Sequence, residues 1–303
     1  METIFKLFLA FFAIFTLAAI AGMFTERSGV VNLGIEGFMT IGALFYTLSI
    51  YFIKDAGVDV VSIKVTIITI AFIIAMFGGA LFSLLHSFMS LKLKTDQVIS
   101  GTVINLLAQG IGLFVVNIKA VSNGSTINAQ ISPEVMNGFS FLSAYMLIAF
   151  CFSLFIGLYF TFTKTGTRHI SAGENPNALD AAGIKVNRYR FICITISGAI
   201  AGLAGAIFVI TQTLQNFDGS VQGLGFISLA IMIIGQWRVS LIVFFSAIFS
   251  IMFAIGTGLD IGSQFRPLTK AMPFMMSIFV MIIASKWSSP PQASGIAFDK
   301  TLR

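Results

Sequence analysis

The sequence predicts an all-α fold, a polytopic integral membrane bundle of helices, on three observations. Hydrophobic residues make up 57% of the 303 and charged residues only 10%, with a mean hydropathy of +0.96; soluble domains run at roughly 45–50% and 25%. The apolar residues gather in runs close to the about 20 that a helix needs to cross a bilayer. Only one long polar stretch separates them, KTGTRHISAGENPNALDAAGIKVNRYR at 164–190. We expect about nine crossings (8–10), two of them short or broken, in a single transmembrane domain, 1–303.

In chain order the candidate runs lie at 4–24, 38–53, 65–91, 97–118, 139–163, 191–215, 226–236, 239–258 and 270–286. The first has Lys6 ahead of a long apolar run and Ala19-Ile20-Ala21 within it, a pattern shared with signal peptides; its length and the spans behind it favour a retained helix. The second is short because ERSGVVNLGIEG (26–37) precedes it. Glu36 is the sharpest residue of the membrane region, since a carboxylate beside Asn32 and between Gly34 and Gly37 is costly in lipid unless bonded or hydrated. Two readings stay open: contact with hydroxyl or N–H groups of a ligand, or service to the backbone N–H groups of a broken helix or to Arg27.

His86, in the third run, has no visible acidic partner and reads as a polar group satisfied within the bundle. Asn105 and Gln109, four apart in the fourth, share a helix face with Gly101 and Gly112. Such a stripe suits close helix approach, with interhelical hydrogen bonds of about 0.6–2 kcal/mol. The fifth run leads into the polar loop. There Asn175 can cap, Pro176 sits where a missing N–H is harmless, and Gly183 can end a helix over 176–182. A helix of about 10 Å needs packing to persist. Behind it Lys185, Arg188 and Arg190 can meet acidic groups or lipid phosphates, and His169 reads as an ordinary loop residue.

Gly198, Ala201, Gly202 and Gly205 mark a packing face of the sixth run. Gln212, Gln215, Asn216, Asp218 and Gln222 follow as a polar cluster, and QNFDGSVQGLG (215–225) makes the seventh run the second short one. Paired short segments interrupted by Gly point to a transport pathway. Asn32, Glu36, Asn105, Gln109, Gly223 and Gly225 are therefore its candidate residues. Trp237 beside Arg238 reads as an interface anchor, and 287–303 as a short, mobile cytoplasmic tail.

With 164–190 in the cytoplasm and each run crossing once, twelve of the eighteen Lys and Arg residues fall inside, as the positive-inside rule asks. This puts the C-terminus inside and the N-terminus outside, unless 28–37 adds a crossing. The net charge of +6 then belongs to span flanks rather than to a nucleic-acid surface. Cys151 and Cys193 supply neither a disulfide framework nor a four-ligand zinc site, and no metal is expected. The sequence has no G-x-x-x-x-G-K-[ST] phosphate loop, H-E-x-x-H or nucleophile elbow. The chain is expected to be no enzyme and to bind no cofactor, any transport energy coming from another subunit. An ion-coupled carrier, the competing class, would need ionisable residues in several spans, where Glu36 is the clear candidate.

SGVVNLGIEGFMTIGA (28–43) resembles the signature of the ABC-importer permeases of the branched-chain amino acid, ribose and nucleoside superfamily, and within it the nucleoside uptake permeases. DQVISGTVINLLAQG (96–110), SGAIAGLAGAIF (197–208) and GLGFISLAIMIIGQW (223–237) agree with it in order. The resemblance implies a subunit that moves nucleosides across the bacterial cytoplasmic (inner) membrane by alternating access, a permease for ribose or another sugar being the alternative. It implies an ABC ATPase subunit holding ATP and Mg, a second permease subunit and an extracytoplasmic substrate-binding lipoprotein as partners, in membrane lipid and without nucleic acid. Gly173, Asn175, Asp180, Ala181, Ala182 and Gly183 match the cytoplasmic coupling loop of that superfamily, which docks in a cleft of the ATPase. The spacing departs from the longer Glu-Ala-Ala…Gly form, since Gly183 follows Ala182 directly.

Overall fold

Apolar runs become helices throughout the computed structural model, which describes residues 2–57, 64–119, 121, 126–128, 144–211, 216–258, 271, 274–275, 277–282 and 288–298. The helices are α1 (Glu2–Glu26), α2 (Ile35–Asp55), α3 (Lys64–Ser87, extended by a π turn at Phe88–Lys92), α4 (Gln97–Val116), α5 (Ala144–Phe162), α6 (Lys164–Glu174), α7 (Pro176–Ala181), α8 (Val186–Thr211), α9 (Leu224–Ile234) and α10 (Val239–Gly258). Two short strands, β1 (Ile127–Asn128) and β2 (Asn216–Phe217), pair antiparallel. Seven helices, α1 to α5, α8 and α10, are long and apolar enough to cross a membrane, and α9 is a shorter apolar helix. The last expected crossing, 270–286, lies partly outside the described residues; those described within it, 271, 274–275 and 277–282, are helical.

One expected short span is corrected. Helix α2 has 21 residues and starts at Ile35, because the polar residues before Phe38 form its first turn instead of interrupting it. Their N–H groups find acceptors there: Gly37 N donates to Asn105 Oδ1 at 2.8 Å. The other short span is as expected, since α9 has 11 residues, about 16 Å of helix.

Helix α8 lies at the centre, with α1, α2 and α3 packed on it. Its small residues decide this. A Cβ on Gly202 would strike the backbone of Ala75, one on Gly205 the carbonyl of Met39, and one on Gly198 would sit 2.5 Å from the Ser83 side chain. Only glycine lets α2 and α3 approach α8 to backbone contact. Helices α1 and α8 are apolar all round and mostly buried, as interior helices are. By contrast α3, α4 and α5 turn Phe77, Leu106, Phe114, Phe155 and Phe162 outward.

The two ends of the bundle are distinct. At one, the turn after α1, helix α6 and the tail meet around Arg190. At the other, a Cβ on Gly258 at the end of α10 would lie 3.0 Å from Ile4 in the first turn of α1. The tail 288–298 and the start of α1 therefore lie on opposite sides.

Candidate functional site

Glu36 stands in the first turn of α2 and reaches across to the start of α9. Its Oε1 accepts from Gly223 N and its Oε2 from Gly225 N, both at 2.7 Å. Helix α9 has no side-chain cap of its own, its N-cap being Gly223 with φ +82°. The first N–H groups of a helix have no internal acceptor, so the carboxylate of another helix supplies one. Of the two readings of Glu36, service to a broken helix is realised, and on the second short segment. Arg27 is not its partner: that guanidinium lies 4.8 Å above the Phe160 ring. Gly225 must be glycine, since a Cβ would come 2.7 Å from Glu36 Cα.

A second carboxylate holds the opposite end of α9. Glu26 is the last residue of α1, and its Oε2 accepts from Trp237 Nε1 at 2.7 Å while Oε1 accepts from Asn32 N at 3.4 Å. Trp237 is only 5% exposed, so the expected interface anchor is instead a buried hydrogen-bond donor. Gln236 and Trp237 have φ of +53° and +52°, a region that costs a residue with a Cβ roughly 1–2 kcal/mol. The bond to Glu26 helps hold that turn. Asn32, expected on the pathway, is fully buried. Its Nδ2 donates to Thr25 Oγ1 at 3.1 Å and Ser197 Oγ at 3.2 Å, which fastens the 27–34 turn to α1 and α8.

Above Glu36 a cavity of about 420 Å³ opens along α4, lined among others by Thr40, Asn105, Gln109, Gln222, Gly223 and Phe226. That volume is in the range of about 300–1,000 Å³ common to small-molecule sites. Asn105 is used structurally: Nδ2 donates to Leu33 O at 2.7 Å, and Oδ1 accepts from Gly37 N. Gln109 makes no hydrogen bond among the described residues and faces the opening. Gln222 Nε2 donates to Asp218 Oδ2 at 3.2 Å, and the residue lines the cavity. Phe226 keeps 49% of its surface exposed. Gly101 and Gly112, on the face of Asn105, pack against Leu33 and Gly219, and His86 is satisfied by Ser100 Oγ at 2.9 Å and Val31 O at 3.2 Å. Gln212 and Gln215 lie outside the described residues.

The polar loop folds as two helices at one end of the bundle. Asn175 Oδ1 accepts from Ala178 N at 3.0 Å, Pro176 opens α7, and the helix ends at Ala181 with Ala182 as its C-cap, one residue before the expected end. Gly183 has φ +81° with open space around it. Asp180 lies in the last turn of α7, and Ala181, Ala182 and Gly183 are exposed, small and consecutive. Gly173 packs on the 27–29 turn, where a Cβ would strike Arg27 O. Between α6 and α7 runs a groove of about 490 Å³ with Lys164, Arg168, Ser171 and Leu179 on its walls.

Three expectations at this end are overturned. Arg190 faces no partner but is fully buried, donating from Nε to Ser28 O, from Nη1 to Ile296 O and from Nη2 to Ala172 O at 2.9, 2.9 and 3.1 Å. His169 is buried too, and its Nε2 donates to Phe24 O at 2.7 Å. Burial, with Arg27 nearby, pushes its pKa down to about 4 in spite of that bond. The tail is docked rather than loose: Ala293 N donates to Gly173 O at 2.8 Å, and Phe298 packs with Ala172, Leu179 and Val186.

Residues 4–284 match the family described as "Branched-chain amino acid transport system / permease component". The chain belongs to this permease family. It is 32% identical over 308 residues to the guanosine ABC transporter permease protein NupQ of Bacillus subtilis, covering 95% of this chain and 93% of that one. It is 33% identical over 305 residues to the nucleoside ABC transporter permease protein NupC of Lactococcus lactis, covering 93% and 92%. A Mycoplasma pneumoniae protein, the MG121 homolog, is 34% identical over 293 residues, covering 95% and 93%. No solved structure shows a significant match.

For a permease of this family, reasoning from sequence found Glu36, Gly223 and Gly225 as separate candidates without seeing that they form one unit. Glu26 went unremarked although it stands in the same polar segment as Glu36, and a second buried carboxylate there was the available signal. Phe226 was one of 33 Phe, and nothing local sets it apart from those that face lipid.

Proposed function

We propose that this permease is one of two membrane subunits of an ATP-driven importer that carries purine nucleosides into a bacterial cell, with 164–190 and the C-terminus in the cytoplasm. The observation that carries the substrate is the chemistry of the cavity at Glu36. Among the described residues no Lys, Arg or His lines it, so the carboxylate of an amino acid would meet no cation from them. A nucleoside is neutral and presents hydroxyls, ring N–H groups and an aromatic face. The Gln109 amide and the Gln222 carbonyl can bond the polar groups, and the Phe226 ring can stack on the base. The names of the two nucleoside permeases to which the chain is similar support the same class.

The cavity is open on the side of Leu106, which is 70% exposed, and a second permease subunit would close it. ATP and Mg would sit on a separate ATPase subunit that receives Asn175, Asp180, Ala181, Ala182 and Gly183, with Gly173 buried behind them against the 27–29 turn, and an extracytoplasmic binding lipoprotein would deliver the nucleoside. Closure of the ATPase pair moves α6 and α7, and the end of α9 that Glu36 holds shifts to open the cavity inward. This chain makes and breaks no bonds.

Uptake of radiolabelled guanosine by cells expressing the chain with its neighbouring transporter genes tests this reading. ATP-dependent uptake that unlabelled adenosine competes away is expected. Phe226→Ala and Gln109→Ala should each lower maximal uptake about tenfold, the loss of roughly 1.4 kcal/mol, and Gly183→Asp should remove it at equal membrane abundance. Uptake of leucine or ribose in place of nucleosides would overturn the substrate class.

A further inference from the structure

Arg190 is a buried cation whose described partners are all backbone carbonyls. The three come from separate parts of the chain: Ser28 in the turn between α1 and α2, Ala172 in α6, and Ile296 in the tail. A guanidinium presents its donors in a rigid planar fork, which a lysine cannot reproduce. The fork therefore fixes the relative position of the three segments. The tail adds two contacts of its own, Ala293 N to Gly173 O and Phe298 against Ala172, Leu179 and Val186.

The Ser28 end of this joint leads to the cavity by short steps. Ser28 and Asn32 share one turn, in which the N–H of Asn32 donates to Glu26, Glu26 accepts from Trp237 at one end of α9, and Glu36 accepts from Gly223 and Gly225 at the other. The 26–36 segment thus grips α9 at both ends, and Arg190 grips that segment together with α6.

We infer that Arg190 and the tail segment 289–298 form a clasp, with Arg190 as the positioning residue, that delivers displacement of α6 and α7 to the turn at 27–34 and so to α9. Without the clasp the ATPase cycle moves the loop and the motion is lost before the cavity. This deepens the importer reading and rests on it.

The test uses the whole complex in proteoliposomes, with this chain as wild type, Arg190→Gln, Arg190→Lys, Phe298→Ala, or ending after Ser288. Two quantities are read: guanosine taken up per ATP hydrolysed, and hydrogen exchange of the amides at 26–36 and 172–183. Arg190→Gln and the shortened chain should lower uptake per ATP at least about fivefold, with ATP hydrolysis and subunit stoichiometry retained. Arg190→Lys and Phe298→Ala should fall between, and exchange should quicken in both segments together. Assembled variants with unchanged uptake per ATP and unchanged exchange overturn the clasp. Should Arg190→Gln fail to assemble, Phe298→Ala and the shortened chain decide, because both keep Arg190. A wild-type complex that hydrolyses ATP without moving guanosine counts against the substrate, while the exchange comparison still decides the clasp.

Discussion

Two carboxylates in this permease spend their oxygens on backbone and indole N–H groups, with no cation bonded to either among the described residues. Hydrogen bonds to a charged group contribute about 1.5–3 kcal/mol, and a buried donor left without its acceptor forfeits a similar amount. Glu36→Gln keeps the shape but turns an NH2 toward one of the two glycine N–H groups. It should lower the stability of the purified complex by about 2–3 kcal/mol, seen as a fall in thermal midpoint, and reduce uptake with it. An unchanged midpoint would mean that α9 does not depend on this cap. His169 gives a prediction in pH. Its folded pKa near 4 lies below the unfolded value of about 6.5, so the unfolded chain takes up the proton first. The stability it contributes is complete above pH 6.5 and is lost as pH falls toward 4. Between pH 6.5 and 5 the loss should reach about 2 kcal/mol, read from thermal unfolding, and His169→Gln should flatten that slope.

At the scale of elements, the glycines of α8 set how near its neighbours come. A Cβ on Gly205 would meet the Met39 carbonyl, which is backbone and cannot turn aside. Gly205→Val should therefore force α2 and α8 apart at a cost of about 1–3 kcal/mol or more, visible as loss of folded protein in the membrane. Gly157→Val in α5, where the nearest atom is 3.9 Å away, is the control that should leave abundance unchanged. Helix α7 is the opposite kind of element. Its six residues are too few to hold a helix in isolation, so it persists through the Asn175 cap and the packing of Leu179 with Ala172, Val186 and Phe298. The other side, Ala181 to Gly183, is exposed.

Across the whole molecule, buried and exposed faces divide the helices by task. Helices α1 and α8 are interior, while α3, α4 and α5 keep large apolar side chains outward. Lipid satisfies such faces, and so does another subunit. The side of α4 that carries Leu106 and Gln109 borders the cavity, so a subunit docked there would share it. At the other pole, the turn at 27–34, α6 and the tail converge on Arg190. The cavity and this pole are joined by the 26–36 segment.

The sequence by itself determined the class, most of the crossings, the capped helix in the polar loop, the small-residue face of α8 and the family. These are local properties: hydropathy over 20 residues, a cap and its Pro, glycines at helical spacing. Only the tertiary structure decided what each polar group meets. Glu36 finds Gly223 from 187 residues away, Glu26 finds Trp237 from 211, and Arg190 finds Ile296 from 106. No local pattern encodes such pairs. Asn32 looked like a pathway residue, Arg190 like a contact for acidic groups or lipid phosphates and the tail like a loose end, because from sequence a polar side chain near a span can serve ligand, partner, lipid or backbone alike. Which of these it serves is settled by packing, since a buried donor or acceptor must take whatever partner the fold brings within reach.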